Sequence, residues 1–117
     1  MKKDNTTDQN LDKLIARMSL EDKAKLLSGR DIWSTHPFKE YDIPPMYVAD
    51  GPHGLRKMAS NNATLQSSIP ATCFPTASAL GATWNTNLIR EVGAAIGKEC
   101  QANNVQILLG PGLNIKR

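Results

Sequence analysis

The sequence predicts an incomplete α/β fold built on parallel strands. Two short apolar runs, residues 46–49 and 105–109, read as buried strands. Between them the apolar spacing predicts one strong amphipathic helix over residues 86–102. A strand–helix–strand crossover makes the two strands parallel. Parallel strands need cover on both faces, and two strands with one long helix cannot supply it.

The elements follow in chain order. Residues 1–10 are polar, lack the apolar centre of a signal peptide and are expected to form a disordered tail. Leu11, Leu14, Ile15 and Met18 then recur at helical spacing and predict a first helix. Ser19 is placed to cap a second helix, with Glu21 and Asp22 suiting its positive N-terminal end. Leu20, Ala24 and Leu27 are the expected buried side of that helix, and Gly29 is its stop.

Residues 30–42 carry Trp33, His36, Phe38 and Tyr41 without a period and read as irregular. Ile43-Pro44-Pro45 bars a helix, because proline lacks the amide donor and restricts the residue before it. The first strand follows and ends in the turn Asp50-Gly51-Pro52. Residues 53–72 are polar and predict a long loop, a kind of segment that usually carries function in compact domains. Pro75 is expected to open a short helical turn reaching Ala82. Asn85 caps the long helix, whose inner face is Leu88, Val92, Ala95, Ile96 and Cys100. Arg90, Glu91, Lys98 and Glu99 are expected to face water. Asn103-Asn104 ends the helix, and Gly110-Pro111-Gly112 is the turn after the second strand.

Composition narrows the function classes. Of 117 residues, 40% are hydrophobic and 21% charged, which is globular rather than disordered usage. The net charge of +3 is spread over interleaved acids and bases, and basic runs are no longer than pairs such as Lys2-Lys3 and Lys116-Arg117. Nucleic-acid binding needs a basic stripe, so no nucleic-acid partner is expected. No segment is long and apolar enough to span a bilayer, so no membrane partner is expected either. Cys73 and Cys100 lie in no CxxC or Cys/His pattern. They are expected to be buried free thiols of a cytoplasmic protein, with no metal site and no cofactor. The sequons Asn5-Thr6-Thr7 and Asn62-Ala63-Thr64 read as chance in the absence of an export signal.

Asp50 stands out chemically. Sites in barrels and open α/β sheets form at the C-terminal ends of strands, where Asp50 sits. It is either a carboxylate aimed into a pocket or a turn former accepting local amide bonds. Arg56 brings a fork of donors suited to a carboxylate or paired hydroxyls, or it is a surface arginine. His53 reads as a loop histidine. Gly110-Pro111-Gly112 lacks the GxGxxG spacing of a phosphate cradle. No nucleophile–base–orienter set can be assembled, so no catalytic residue is assigned.

Five segments in order carry a family resemblance: Met18-Ser19-Leu20-Glu21-Asp22-Lys23, Tyr47-Val48-Ala49-Asp50-Gly51-Pro52-His53-Gly54-Leu55-Arg56, Thr72-Cys73-Phe74-Pro75-Thr76, Leu80-Gly81-Ala82-Thr83-Trp84-Asn85 and Leu109-Gly110-Pro111-Gly112-Leu113-Asn114-Ile115-Lys116-Arg117. Together they resemble the start of family 3 glycoside hydrolases of the β-glucosidase type, from about Leu11 to Arg117. The resemblance implies the first two strands of an incomplete (β/α)8 TIM barrel with N-terminal helices, so that residues 11–117 form one barrel fragment. The parent barrel would be followed by an α/β sandwich domain and often a fibronectin-type domain. It implies a retaining enzyme that cleaves terminal non-reducing β-D-glucosyl residues from a β-linked glucoside or oligosaccharide. Such chemistry needs two carboxyl groups about 5 Å apart. The family's nucleophile and acid/base, like its Gly-Arg and Lys-His sugar-binding pairs, are expected beyond Arg117. Asp50 matches the family's acceptor for hydroxyls of the non-reducing-end sugar, and Arg56 matches a supporting donor. The rival readings are a small non-catalytic carbohydrate-binding or structural α/β domain, and a nucleotide-binding βαβ unit using Gly110 and Gly112.

Overall fold

The computed structural model describes residues 5–60 and 67–113. The sequon at Asn62, the termini Met1–Asp4 and the motif end Asn114–Arg117 lie outside the described residues. The chain divides into two units, Met1–Met46 and Tyr47–Arg117.

The first unit is built from α1 (Asn5–Arg17) and α2 (Leu20–Leu26), followed by a 3-10 turn at Lys39–Tyr41. Helix α1 starts earlier than expected, so residues 5–10 belong to a helix rather than to a tail. The reason is that a polar run without proline or glycine can extend a helix backwards from an apolar stripe. Of that stripe, Met18 is buried, while Leu11 and Ile15 are about half exposed.

Helix α2 is capped as predicted. The Asp22 amide donates to Ser19 Oγ at 3.0 Å, and the Ser19 hydroxyl donates to the Asp22 carboxylate at 2.7 Å. The Ser19 hydroxyl, with Tyr41's hydroxyl behind it at 2.9 Å, holds the Asp22 carboxyl below its usual range. The expected buried side of α2 is not buried, since Leu20 and Leu27 are 84% and 91% exposed. Seven residues give less than two full turns, too short to turn a broad face inward, and the cap fixes where the helix starts. Residues 30–42 are irregular apart from the 3-10 turn and short antiparallel bridges, Gly29 to Thr35 and Phe38 to Ile43. Phe38 and Ser34 are buried there.

The second unit holds β1 (Val48–Asp50), α3 (Ala77–Ala82), α4 (Thr86–Ala102) and β2 (Ile107–Leu109). The two strands pair in parallel with Val48 opposite Ile107, Ala49 opposite Leu108 and Asp50 opposite Leu109. Both strands are shorter than the apolar runs. Met46 exchanges hydrogen bonds with Thr35 inside the first unit instead, and the Gln106 side chain accepts from the Tyr47 amide at 2.7 Å.

Helix α4 has the predicted bounds, with Asn85 Oδ1 accepting from the Leu88 amide at 3.0 Å. Pro75 does not open α3. Thr76 does, accepting from the Ala79 amide at 3.2 Å. The core consists of Ala49, Leu55, Cys100 and Val105, with Tyr47, Ile96 and Leu108 packed against it. Only the C-terminal part of the predicted α4 stripe therefore reaches the core. Leu88 and Ala95 are exposed, and Val92 is half-buried.

The cysteines differ from expectation: Cys100 is buried, but Cys73 is exposed on a loop edge. Burial pushes the Cys100 thiol up, so it is held as a neutral apolar group.

Candidate functional site

Strand β1 ends at Asp50, and the chain then turns back on itself. The Arg56 amide donates to the Asp50 carbonyl at 2.8 Å, closing a seven-residue loop. Two glycines permit this turn. A Cβ on Gly51 would meet the Gly54 carbonyl oxygen at 2.7 Å, and Gly54 has a φ of +115°, open to glycine alone in practice.

The closure brings the two sequence-predicted site residues together. Arg56 Nη1 stands 3.4 Å from Asp50 Oδ2, and both side chains remain accessible, 45% and 37% exposed. Asp50 thus lies at a strand's C-terminal end with a guanidinium beside it. The pair offers anionic acceptors next to cationic donors, a combination suited to vicinal hydroxyls.

A cleft of about 190 Å³ opens beside Arg56. Its walls include His53, Ser68, Thr72 and Cys73. A larger cleft of about 380 Å³ lies elsewhere, over α4 and β2, and includes Gly93, Gly97, Cys100 and Leu108. Its walls also carry the amides Gln101 and Gln106, and Cys100 in it is buried. Among the described residues no three His, Cys, Asp or Glu side chains gather as metal ligands do.

The loop after Arg56 is more ordered than a polar loop. Residues around Met58 pair with residues around Ser68: the Ala59 amide donates to Ser67 at 3.0 Å and the Ile69 amide to Lys57 at 2.9 Å. Leu55 and Met58 are buried beneath it. His53 contributes through its backbone, its carbonyl accepting from the Phe74 amide at 2.8 Å. Gly110 packs against the Gly51 backbone, where a Cβ would clash.

Two residues central to this loop were not singled out by sequence reasoning. Lys57 Nζ donates to the Asn103 carbonyl at 2.6 Å and lies 4.9 Å from the centre of the Tyr47 ring. Glu99, expected to face water, instead accepts from the Thr72 amide at 2.9 Å and from the Thr72 hydroxyl at 3.1 Å. The available signal was an acidic residue close to a helix C-terminus, where the macrodipole disfavours it.

No family model matches the chain. It is 52% identical over 110 residues, 92% of its length, to the thermostable β-glucosidase B of Acetivibrio thermocellus. It is 47% identical over 103 residues to an exo-α-(1→6)-L-arabinopyranosidase of Bifidobacterium longum. In structure it superposes on a GH3 β-glucosidase from Bifidobacterium adolescentis with a TM-score of 0.74 and 45% identity, covering 87% of this chain and 14% of that one. The chain spans 12–15% of the length of the curated relatives it matches. It belongs to the family 3 glycoside hydrolases. Within that family it matches the N-terminal part of β-glucosidase chains.

Proposed function

We propose that this chain forms one wall of the sugar pocket of a retaining β-glucosidase, as the first two strands of a (β/α)8 barrel. The complete enzyme would release terminal non-reducing β-D-glucosyl residues from β-linked glucosides in the cytoplasm. The observation that carries this reading is the Asp50–Arg56 pair, 3.4 Å apart at the C-terminal end of β1. Catalytic groups of parallel α/β folds gather at that end. An ionised carboxylate accepts hydroxyl hydrogens in charge-assisted bonds, and Arg56 holds that carboxylate in place.

Catalysis needs more than this pair. Retaining hydrolysis uses a nucleophile and an acid/base about 5 Å apart. Asp50 has a guanidinium beside it, and in this reading the reacting carboxylates come from the rest of the enzyme. In this reading Asp50 and Arg56 bind and orient the sugar. Orientation counts because it converts an encounter into a reactive geometry.

The test is a chimera in which this chain replaces the matching segment of the Acetivibrio thermocellus enzyme. The chimera is expected to hydrolyse an aryl β-D-glucoside, while the isolated 117-residue chain does not. An aryl α-L-arabinopyranoside is assayed alongside, because one relative carries that name. A folded chimera without β-glucosidase activity, or turnover by the purified isolated chain, would refute the reading.

A further inference from the structure

Glu99 lies near the C-terminal end of α4, a position that an acid disfavours by the helix dipole. Its carboxylate is half withdrawn from water. Oε2 is buried and has no hydrogen-bond partner among the described residues. Helix stability does not account for such a residue. A local rule broken in this way points to a demand made by the tertiary structure. That demand is visible at Oε1, which takes both donors of Thr72, the amide at 2.9 Å and the hydroxyl at 3.1 Å.

Thr72 in turn lies against the turn that presents the candidate site. A Cβ on Gly54 would stand 2.5 Å from the Thr72 carbonyl oxygen, so only glycine allows the two backbones to meet. Next to this contact, the Phe74 amide donates to the His53 carbonyl at 2.8 Å. Two residues beyond Gly54 comes Arg56, and Arg56 and Thr72 line the same cleft. The outgoing arm is tied to the same helix end, since Lys57 Nζ donates to the Asn103 carbonyl at 2.6 Å. Both arms of the loop are therefore fastened to the last turns of α4, Lys57 complementing the dipole and Glu99 opposing it.

We propose that Glu99 is a positioning residue of the sugar pocket: by holding Thr72 against Gly54 it sets where Arg56 and Asp50 meet the sugar. This rests on the reading of Asp50 and Arg56 as sugar contacts. Removal of the carboxylate frees the returning arm, whose Thr72 lines the same cleft as Arg56. Misplacement of a binding group by about 1 Å can cost on the order of a hundredfold in rate.

The experiment measures kcat/KM for an aryl β-glucoside in the chimera. Glu99→Ala is expected to lower it about tenfold to a hundredfold. Glu99→Gln keeps an acceptor oxygen for both Thr72 donors and is expected to stay within about threefold of the parent. Thr72→Ala removes one donor from an exposed residue, is expected to cost several-fold, and keeps the proposal testable if Glu99→Ala does not fold. The decisive readout is coupling: if Glu99 acts through the Asp50–Arg56 pair, Glu99→Ala in an Asp50→Asn background adds little further loss. Losses that multiply, or a folded Glu99→Ala and Thr72→Ala with parental kcat/KM, overturn the positioning role while leaving Asp50 intact. Parental kinetics in Asp50→Asn alone would instead remove the sugar-contact reading, and the proposal with it.

Discussion

Replacing Asp50 by Asn separates binding from folding. The turn at Asp50 is closed by a backbone bond, Arg56 amide to Asp50 carbonyl at 2.8 Å, which the substitution leaves in place. The side-chain pair is 3.4 Å long and substantially solvated, with 45% and 37% of the two side chains exposed. Screened pairs of this kind contribute at most about 1 kcal/mol. The expected change in Tm of the chimera is therefore no more than about 4 °C. The effect on catalysis works differently. Each hydrogen bond from a sugar hydroxyl to an ionised carboxylate is worth roughly 1.5–3 kcal/mol. Asn keeps one acceptor oxygen and loses the charge. Losing two such bonds even in part, where they tighten as the sugar ring distorts, amounts to about 2.7 kcal/mol, or about a hundredfold in kcat/KM. The assay is kcat/KM for an aryl β-glucoside alongside thermal melting of the same preparation. A well-folded Asp50→Asn chimera with near-parental kinetics would show that Asp50 only forms the turn.

Two further outcomes concern folding. The isolated chain is expected to lack cooperative thermal melting and a dispersed amide NMR spectrum, because its sheet has two strands of three residues each. It also exposes large apolar groups, Leu20, Leu27 and Trp84 among them, and a sharp cooperative transition would contradict the expectation. In the chimera, Gly54→Ala is expected to destabilise by about 2 kcal/mol or more, since φ is +115° and the new methyl would stand 2.5 Å from the Thr72 carbonyl oxygen. Gly81→Ala, where a methyl meets nothing within 4 Å, is expected to be neutral or slightly stabilising, and equal melting of the two variants would rule out the close-approach argument.

Local chemistry was legible in the sequence wherever a few neighbouring residues decide the outcome. Ser19 capping α2, the bounds of α4 and the parallel order of β1 and β2 followed from caps, period and crossover. Asp50 and Arg56 were legible as candidates because a strand end and a Gly-rich turn are sequence-local features. Their 3.4 Å approach was not, since it depends on the backbone closure between residues 50 and 56. Burial was the least legible property. Leu20 and Leu27 have helical spacing yet stay exposed, and Cys73 is exposed while Cys100 is buried. A periodic pattern states which face is apolar but not what covers it. Glu99 and Lys57 mark the same boundary from the polar side. Their partners, Thr72 and the Asn103 carbonyl, lie 27 and 46 residues away, and only the folded path of the chain brings them within hydrogen-bond reach.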